Sequence, residues 1–379
     1  MSISVTWVDT NDALMAAAQP WSRATTLYMD TEFIRETTFY SIPALLQVSD
    51  GEQAWLVDPK TISDWSPLAD IMGNANIAKV FHACQEDVEL LARLTGVYPQ
   101  AIMDSQLAAA FAGLGWSLGY RALTEKLCGV MLEDAPHITR SNWLQRPLTP
   151  EQYEYAVNDV VYLSQAWPLL RDKLNERGWL AACIDETAAR VKQMLEQPDP
   201  DSAWRRLGGL ERLSEPSVRV ARRLYQWREQ VAVADDVARN RLMRDGVLLE
   251  ISRLQPTTFH QLLAIADLRP GVVRRYGDQI LQCMELSETD NDDLALMPSI
   301  DPKMLRQLLA PLKKVVSHWA SAHDLPEPLL ASRTMLTALL LAWLHGTRLP
   351  DWIEGWRATE LSPMLMKVME ENRGLVDTV

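Results

Sequence analysis

Long apolar runs are absent from this chain. No stretch approaches the roughly 20 apolar residues that a helix needs to cross a bilayer. The first residues, Met1 to Val5, carry neither the basic region nor the apolar core of a secretion signal. We therefore expect no membrane partner.

Cysteine and histidine are scarce and dispersed. The four cysteines include no C-x-x-C pair, and the six histidines form no local cluster. This distribution argues against a zinc motif and against a disulfide framework, and it favours a reducing compartment, so we predict a cytoplasmic protein. A P-loop of the form G-x-x-x-x-G-K-[ST] is also missing, which disfavours a nucleotide-driven helicase activity.

Positive charge is in the minority and is unevenly distributed. The 379 residues carry 37 Lys and Arg against 50 Asp and Glu, a formal net charge of -13. Residues 1–196 hold 14 basic against 25 acidic side chains, whereas residues 197–285 hold 14 arginines against 12 acids. Net charge therefore bears on solubility, while local patches decide whether the chain binds an anionic partner.

Apolar residues follow strand-like and helix-like spacing in turn through the first part of the chain. Strands that alternate with helices predict an α/β domain with a mixed sheet. Thr149-Pro150-Glu151-Gln152 combines a capping threonine, a first-turn proline and a capping-box glutamine, so a helix should begin there and run to about Gly178. We predict strands at 27–33, 42–48, 54–58, 77–82 and 101–104, and helices at 66–73, 84–95, 105–112 and 117–128.

Two polar segments divide the chain. Residues 196–202 contain two prolines among polar and acidic residues, and residues 287–293 are entirely polar or acidic. After the first of these segments the pattern is helical throughout. We therefore expect three domains, at residues 1–196, 203–286 and 295–379, of which the first is α/β and the other two are all-α.

Several acidic residues occupy positions that can converge on one site. Asp30 and Glu32 are two residues apart in a predicted strand, so both point to the same face. Two like charges side by side are costly to bury unless a cation neutralises them. Asp87 falls in the first turn of a helix, and Tyr155 and Asp159 share one face of a later helix at i and i+4. Such oxygen ligands suit Mg²⁺ or Mn²⁺.

This set of side chains predicts phosphodiester hydrolysis assisted by two metal ions. Two divalent cations can stabilise the attacking and the leaving oxygen together. We assign Asp30, Glu32, Asp87 and Asp159 to the metals, and Tyr155 to orienting the attacking water. Each motif alone is also compatible with a solvated or structural role, and only their combination favours catalysis.

The motifs and their order resemble the DEDD exonucleases of the DnaQ-like group, in the subgroup whose last motif contains a tyrosine. The three motifs are Asp30-Thr31-Glu32-Phe33, His82-Ala83-Cys84-Gln85-Glu86-Asp87 and Tyr155-Ala156-Val157-Asn158-Asp159. Met103-Asp104-Ser105-Gln106 and the stretch 140–149 are in addition similar to the bacterial ribonuclease D family. The resemblance implies an RNase H-like catalytic domain.

The second block resembles an HRDC domain, a small helical nucleic-acid-binding module. The similarity lies in Val247 to Pro256 and in Arg275-Tyr276-Gly277. The resemblance to ribonuclease D implies a second, divergent HRDC-like domain in the last block. It also implies a metal-dependent 3'→5' exoribonuclease that trims tRNA precursors and other small structured RNAs and releases nucleoside 5'-monophosphates.

Candidate substrate contacts lie beside these motifs. Single-stranded RNA is usually held by aromatic stacking and by cationic contacts to its phosphates. In the first domain we predict contacts from five residues: Thr31, Phe33, His82, Arg140 and Arg146. In the second domain, one helical face carries three arginines that suit either RNA phosphates or a solvated surface: Arg219, Arg222 and Arg223.

Two other functions remain open from the sequence. A DNA exonuclease would use the same chemistry, and a catalytically silent RNA-binding protein would keep the fold without hydrolysis. The missing P-loop disfavours the helicase-linked DNA enzymes, and the intact acids and tyrosine disfavour a silent protein. We expect a monomer without an obligate protein partner that acts on single-stranded 3' ends of RNA.

Overall fold

The computed structural model describes residues 3–196, 200–288 and 302–375. The chain divides into two compact units. The first takes its residues from Met1–Phe33, Pro43–Leu195 and Asp301–Val379, and the second from Ile34–Ile42 and Glu196–Ile300. Among the described residues, none of the helices combines the length and the apolar character required for a membrane span.

A mixed sheet forms the centre of the first unit. Within residues 3–196 its strand order is β1-β4-β3-β2-β5-β6. Strands β3 and β4 are antiparallel, whereas β1 pairs with β4, β2 with β5 and β5 with β6 in parallel. The strands are β1 (Ser4–Val8), β2 (Thr26–Ile34), β3 (Ile42–Ser49), β4 (Gln53–Val57), β5 (Ala78–Phe81) and β6 (Ile102–Asp104).

The five predicted strands and the mixed α/β architecture are confirmed, but β1 was not predicted. Its five residues pair only with β4, so β1 is an edge strand with just one buried residue, Val8. A central strand is marked by a run of apolar residues, because it is paired on both edges and largely buried. A short edge strand is paired on one edge and remains partly exposed, so it lacks that run.

Helices cover both faces of this sheet. Alternation along β2 sends Leu27 and Met29 into one apolar core with Trp21, and Tyr28 into another with Trp167. The helices up to residue 195 are α1 (Asn11–Trp21), α2 (Ser66–Gly73), α3 (Gln85–Thr95), α4 (Ser105–Phe111), α5 (Tyr120–Cys128), α6 (Pro136–Thr139), α7 (Pro150–Glu176) and α8 (Leu180–Leu195).

The predicted start of the long helix α7 is confirmed. The Thr149 side chain accepts a hydrogen bond from the Gln152 backbone N–H, and the Gln152 side chain accepts one from the Thr149 backbone N–H. This capping box satisfies two donors that would otherwise lack partners at the helix end. Its position fixes the register of α7 and therefore the direction of every side chain on it.

The second unit is helical and includes the segment between β2 and β3. Phe39, from that segment, is 5% exposed in an apolar core with Trp204 and Leu248. The backbone N–H of Tyr40 donates to Asp236 Oδ1 at 3.0 Å. The helices of this unit are α9 (Pro200–Ala203), α10 (Glu215–Ala234), α11 (Arg239–Leu242), α12 (Asp245–Leu254), α13 (Phe259–Leu263) and α14 (Pro270–Glu288).

The last helices pack in the same unit as the sheet. Trp356 lies 6.0 Å from Trp179 and 6.3 Å from Trp319 between ring centroids, and Arg357 Nη1 lies 2.6 Å from Glu186 Oε2. These helices are α15 (Pro302–His323), α16 (Glu327–Leu330), α17 (Arg333–Leu344) and α18 (Leu361–Glu371). Most of the predicted linkers, residues 197–199 and 289–293, lie outside the described residues.

Candidate active site

Strand β2 carries the two acids of the first motif past the end of its neighbour. Tyr28 is paired with Val80, and β5 ends one residue later at Phe81. Asp30 and Glu32 therefore project from the part of β2 that extends beyond the carboxyl end of β5. Both side chains are half-buried, and period two places them on the face that Tyr28 also occupies.

Helix α7 brings the third carboxylate to this face. Asp30, Glu32 and Asp159 each offer one carboxylate oxygen such that all three oxygens lie within 4.8 Å of one another. The capping box at Thr149 sets the register that points Asp159 inward. The structure thus brings together three of the predicted metal ligands, of which Asp159 is more than a hundred positions from the other two in sequence.

Asp87 approaches from the first turn of α3 and is held by Thr31. The Thr31 hydroxyl donates to Asp87 Oδ1 at 2.5 Å, and the Thr31 backbone N–H donates to the same oxygen at 3.1 Å. Both residues are buried. Thr31 was predicted to contact the RNA substrate, but both of these donors are engaged by Asp87, so the geometry favours a positioning role for Thr31 instead.

Burial raises the pKa of every carboxyl group at this site, and the charges of neighbouring acids raise it further for Asp30, Glu32 and Asp159. Burial raises the pKa of Asp30 well above its usual range, and the charges of Asp87, Asp159 and Glu32 add to the effect. Burial, together with the neighbouring acids, raises the pKa of Glu32 to about 9 and that of Asp159 to about 8. The pKa of Asp87 rises by burial only to about 6, because the hydrogen bonds from Thr31 favour its ionised form.

Tyr155 lies one turn before Asp159 on the same helix. Its hydroxyl is 3.5 Å from Thr139 Oγ1, and its ring centroid is 6.0 Å from that of Trp143. Burial raises the pKa of the Tyr155 hydroxyl, and the negative charge of Asp159 raises it further. The hydroxyl therefore stays protonated at neutral pH and can donate a hydrogen bond.

A layer of residues behind the acids holds α7 in place. The Tyr120 hydroxyl lies 2.5 Å from the Asp159 carbonyl oxygen and 2.9 Å from that of Asn158. The ring of His82 packs edge-on against Tyr120, and His82 Nδ1 lies 2.9 Å from Ser105 Oγ. Sequence reasoning missed Tyr120, because it lies outside the three motifs and its partners are backbone atoms.

The other predicted substrate residues occupy different surroundings. His82 contacts Ser105 and Tyr120, so its predicted RNA contact stays a prediction with a structural alternative. Phe33 is half-buried directly after Glu32. Arg140 is exposed at the end of α6, where a phosphate could approach it. For Phe33 and Arg140 the predicted RNA contact is compatible with their positions.

Arg146 has a structural position that opposes its predicted phosphate contact. Its Nε and Nη2 donate to the two carboxylate oxygens of Asp58 at 2.5 and 2.9 Å. The remaining donors bond the carbonyl oxygens of Ala44, Trp143 and Gln145. A guanidinium engaged on all sides is not available to RNA, so Arg146 holds the loop before α7 to β3 and β4.

The arginine face predicted on α10 is largely engaged within its own unit. Arg219 Nη2 lies 2.6 Å from Glu215 Oε1, and Arg222 and Arg223 are half-buried with partners of their own. This face is therefore closer to the solvated alternative that the sequence left open. A basic surface for RNA must be sought elsewhere in the unit.

The cluster of carboxylates fits a hard divalent cation. Its donor atoms are carboxylate oxygens from Asp30, Glu32 and Asp159, with no sulfur or nitrogen ligand in the group. Oxygen-only sets favour Mg²⁺ or Mn²⁺ over zinc. Burial first, and the neighbouring negative charges second, raise the pKa values of these three carboxyl groups, and a bound cation would favour their ionised forms.

This carboxylate cluster on an α/β scaffold fits the class of metal-dependent 3'-5' exonucleases. Residues 5–177 match the 3'-5' exonuclease family, and residues 217–284 match the HRDC domain family. Both families were expected from the sequence. The family match implies the use of divalent metal ions, for which the carboxylate cluster supplies ligands.

Relatives that match nearly the whole chain narrow the family further. Ribonuclease D of Pseudomonas paraeruginosa is 34% identical over 372 residues, which is 97% of this chain and 98% of that protein. Ribonuclease D of Escherichia coli K12 is 31% identical over 371 residues, or 96% of this chain and 98% of that protein. This chain belongs to the ribonuclease D family.

A solved structure agrees with this assignment. The crystal structure of Escherichia coli RNase D, described as an exoribonuclease involved in structured RNA processing, matches with a TM-score of 0.88 and 31% sequence identity. The match covers 98% of this chain and 99% of that chain. The similarity therefore extends through both helical regions and is not confined to the exonuclease domain.

Proposed function

We propose that this chain is a 3'→5' exoribonuclease that removes nucleotides from structured RNAs and releases nucleoside 5'-monophosphates. The observation that carries the proposal is the convergence of Asp30, Glu32 and Asp159, whose oxygens lie within 4.8 Å of one another. Membership of the ribonuclease D family supports the choice of RNA. Trimming of tRNA precursors is the substrate class that the family resemblance suggested, and it is proposed here.

The roles of the residues follow from their positions. Asp30, Glu32, Asp87 and Asp159 would hold the metal ions. Two Mg²⁺ or Mn²⁺ ions, when bound, supply charge stabilisation for the attacking and leaving oxygens of the phosphodiester. The Tyr155 hydroxyl, protonated at neutral pH, would orient a water molecule by a hydrogen bond. Thr31 fixes the carboxylate of Asp87.

We also propose the domain boundaries 1–196, 203–286 and 295–379. The helices α15 to α18 make the last block all-α, which supports a divergent second HRDC-like domain there. We also propose a monomeric state and a cytoplasmic location, with either Mg²⁺ or Mn²⁺ as the metal.

The activity is tested with an RNA hairpin that carries a single-stranded 3' tail and a labelled 3' nucleotide. We expect release of labelled 5'-monophosphate with Mg²⁺ or Mn²⁺, and none with EDTA. Asp30→Asn should abolish release, because it removes a charged ligand from the centre of the cluster. A DNA strand of the same sequence serves as the substrate control, and we expect it to be degraded more slowly.

A matched variant separates catalysis from folding. Asp9→Asn makes the same change at an exposed position outside the cluster, and it should leave the rate unchanged. Adding Mn²⁺ should raise the melting temperature of the wild type and of Asp9→Asn but not that of Asp30→Asn, because ligands stabilise only the state that binds them. Release that persists in EDTA or in Asp30→Asn would contradict the proposal.

A further inference from the structure

A pocket in the second unit is lined by basic side chains. Its volume is about 300 Å³, and its lining includes Arg241, Arg244, Arg269, Asp267 and Pro270. The residues come from two places in the sequence, α11 with the turn that follows it and the turn before α14 with the first residue of that helix. The three guanidinium groups and one carboxylate give the lining an excess of positive charge.

The three arginines, Arg241, Arg244 and Arg269, are exposed, and they differ from most other arginines of this unit in taking part in no ion pair among the described residues. By contrast, other arginines of the unit pair with acids: Arg219 with Glu215, Arg239 with Glu229, Arg253 with Glu250 and Arg275 with Asp235. These three cations share one carboxylate in the pocket lining, Asp267, and none of them forms an ion pair in the described part of the chain, so they are available to an external anion.

The wall that carries these arginines is fixed by buried contacts. Leu242, Met243 and Leu268 are at most 5% exposed. Arg228, itself 4% exposed, donates to the Met243 carbonyl oxygen at 3.0 Å and to Asp245 Oδ1 at 2.6 Å. The same contact neutralises Asp245, the acid nearest to Arg244 in sequence. The pocket is therefore formed without a ligand and needs little reorganisation to bind one.

Two helices begin at the pocket. Arg244 is the residue before α12 and contributes no side-chain cap to it, and Pro270 is the first residue of α14. The partial positive charge at a helix N-terminus adds to that of the guanidinium groups. Guanidinium groups bind phosphate and carboxylate oxygens through paired N–H donors. Three of them around one pocket suit a phosphate, which offers more anionic oxygens than a single carboxylate.

We propose that this pocket binds a backbone phosphate of the RNA substrate, at a position away from the 3' end that enters the active site. The proposal deepens the exoribonuclease function and rests on it for the identity of the polyanion. It assigns RNA binding to Arg241, Arg244 and Arg269, and not to the face of α10 that carries Arg219.

RNA affinity tests the proposal independently of catalysis. The variant R241Q/R244Q/R269Q is compared with the wild-type full-length chain by fluorescence anisotropy in EDTA, with a hairpin RNA that carries a 3' tail. The matched control is R253Q/R348Q/R373Q, which removes three exposed arginines that pair with acids on their own helices or turns. All substituted positions are exposed, so we expect unchanged melting temperatures.

We expect the pocket variant to bind hairpin RNA about tenfold more weakly, with the control near wild type. The logarithm of the RNA association constant decreases linearly with the logarithm of the salt concentration. In the pocket variant the magnitude of this slope should be smaller by about 0.7–0.9 for each phosphate that the variant no longer neutralises. Equal affinity and equal salt slope in the pocket variant and the wild type would overturn the proposal. A second result would also overturn the proposal. Inorganic phosphate would raise the melting temperature of the wild type but not that of the pocket variant, and the pocket variant would still bind RNA normally. The pocket would then bind a free anion and not the RNA.

A second measurement separates this proposal from the proposed function. The pocket variant should hydrolyse a short single-stranded oligonucleotide at the wild-type rate, since its substitutions lie outside the carboxylate cluster. If the wild type fails to hydrolyse that oligonucleotide, the exoribonuclease function fails, while the anisotropy result still decides the RNA site. A normal rate together with unchanged hairpin affinity would overturn the pocket proposal alone.

Discussion

Thr31 and Asp87, which are 56 positions apart, form two hydrogen bonds through one carboxylate oxygen, at 2.5 and 3.1 Å. Thr31 stands between the metal-ligand candidates Asp30 and Glu32, on the opposite face of β2. The strand thus presents two carboxylates to one side and fixes a third from the other. Alternation along a single strand determines both the ligand positions and the support of Asp87.

Thr31→Val should therefore impair both stability and catalysis. The substitution keeps the shape of the side chain but removes the donor to a buried carboxylate, and a hydrogen bond to a charged group contributes about 1.5–3 kcal/mol. We expect a loss of that order in the free energy of unfolding and a lower hydrolysis rate at saturating metal. Urea unfolding and single-turnover kinetics measure the two effects. Thr31→Ser keeps the hydroxyl and should retain most of the stability and most of the hydrolysis rate. Equal defects in Thr31→Ser and Thr31→Val would contradict the role of the hydroxyl.

Tyr155→Phe should slow hydrolysis while leaving metal binding intact. The change removes the hydroxyl near Thr139 Oγ1 but leaves the carboxylates in place. We expect a rate reduction of roughly tenfold to a hundredfold, at or below the low end of the range of general acid–base catalysis. The Mn²⁺-induced rise in melting temperature should match that of the wild type.

Tyr153 offers the matched control for that experiment. It lies two residues earlier on α7 and is 38% exposed, so Tyr153→Phe should leave the rate unchanged. Unchanged turnover in Tyr155→Phe would show that its hydroxyl does not orient the water.

Phe39→Ala should destabilise the helical unit, although Phe39 lies between two strands of the sheet in sequence. Its ring is 5% exposed, and the Arg239 guanidinium lies 4.5 Å from the ring centroid. Truncating a buried phenylalanine costs about 3–5 kcal/mol. Hydrogen exchange should show faster opening of α10 and α12. Phe259→Ala, at a position 39% exposed in the same unit, should have a smaller effect, and equal protection of these helices in Phe39→Ala and the wild type would refute this role.

The elements that could be predicted from the sequence are those with local signals. The start of α7 follows from a capping box at Thr149 that involves residues three apart. Asp30 and Glu32 share a face because strands have a period of two. Asp159 follows Tyr155 by one helical turn. In each case neighbouring residues determine the geometry, so one sequence suffices.

The features that escaped prediction depend on contacts between distant residues. The N–H of Tyr40 bonds Asp236, 196 positions away, and no local pattern indicates that residues 34–42 belong to the helical unit. Arg146 was predicted to bind phosphate because a basic residue near a site suggests it, but Asp58 engages it from 88 positions away. Tyr120 acts on the backbone of α7, so no side-chain motif marks it.

Arg357→Met should be strongly destabilising, because it breaks a buried ion pair. Its Nη1 lies 2.6 Å from Glu186 Oε2, and its other donors bond the carbonyl oxygens of Leu329 and Leu330. The variant leaves the buried Glu186 with the partly exposed Arg190 and with Trp356 as its remaining partners, so the loss should be at most the roughly 3–5 kcal/mol that breaking a buried ion pair costs. Denaturant unfolding followed by tryptophan fluorescence measures this loss, because Trp356 packs beside the pair.

Arg348 provides the exposed control in the same block. It pairs with Asp351 at 2.8 Å, but its side chain is 85% exposed. Exposed pairs contribute about 0–1 kcal/mol, so Arg348→Met should change little. Similar losses in the two variants would show that the burial of Glu186 and Arg357 does not set the cost.

Glu186 gives this ion pair a defined pH dependence. Burial alone would raise its pKa, but the hydrogen bond and charge of Arg357, the charge of Arg190 and the hydrogen bond from Trp356 outweigh burial, so the pKa lies below its ordinary value of 4.5. A carboxyl group whose pKa is lower in the folded state stabilises the fold above its unfolded pKa. The contribution should be complete at neutral pH and disappear as the pH falls through the folded pKa, below about 4.5.

Glu186→Gln isolates this contribution from those of the other acids. The difference in unfolding free energy between wild type and Glu186→Gln should be constant from pH 7 to about pH 5 and should shrink as the pH falls below about 4.5. Urea unfolding at a series of pH values measures it. Other carboxylates titrate in the same range, but they are common to both proteins and cancel in the difference. A difference that grows on acidification would mean that burial outweighs Arg357 and Arg190 and that the pKa of Glu186 is raised.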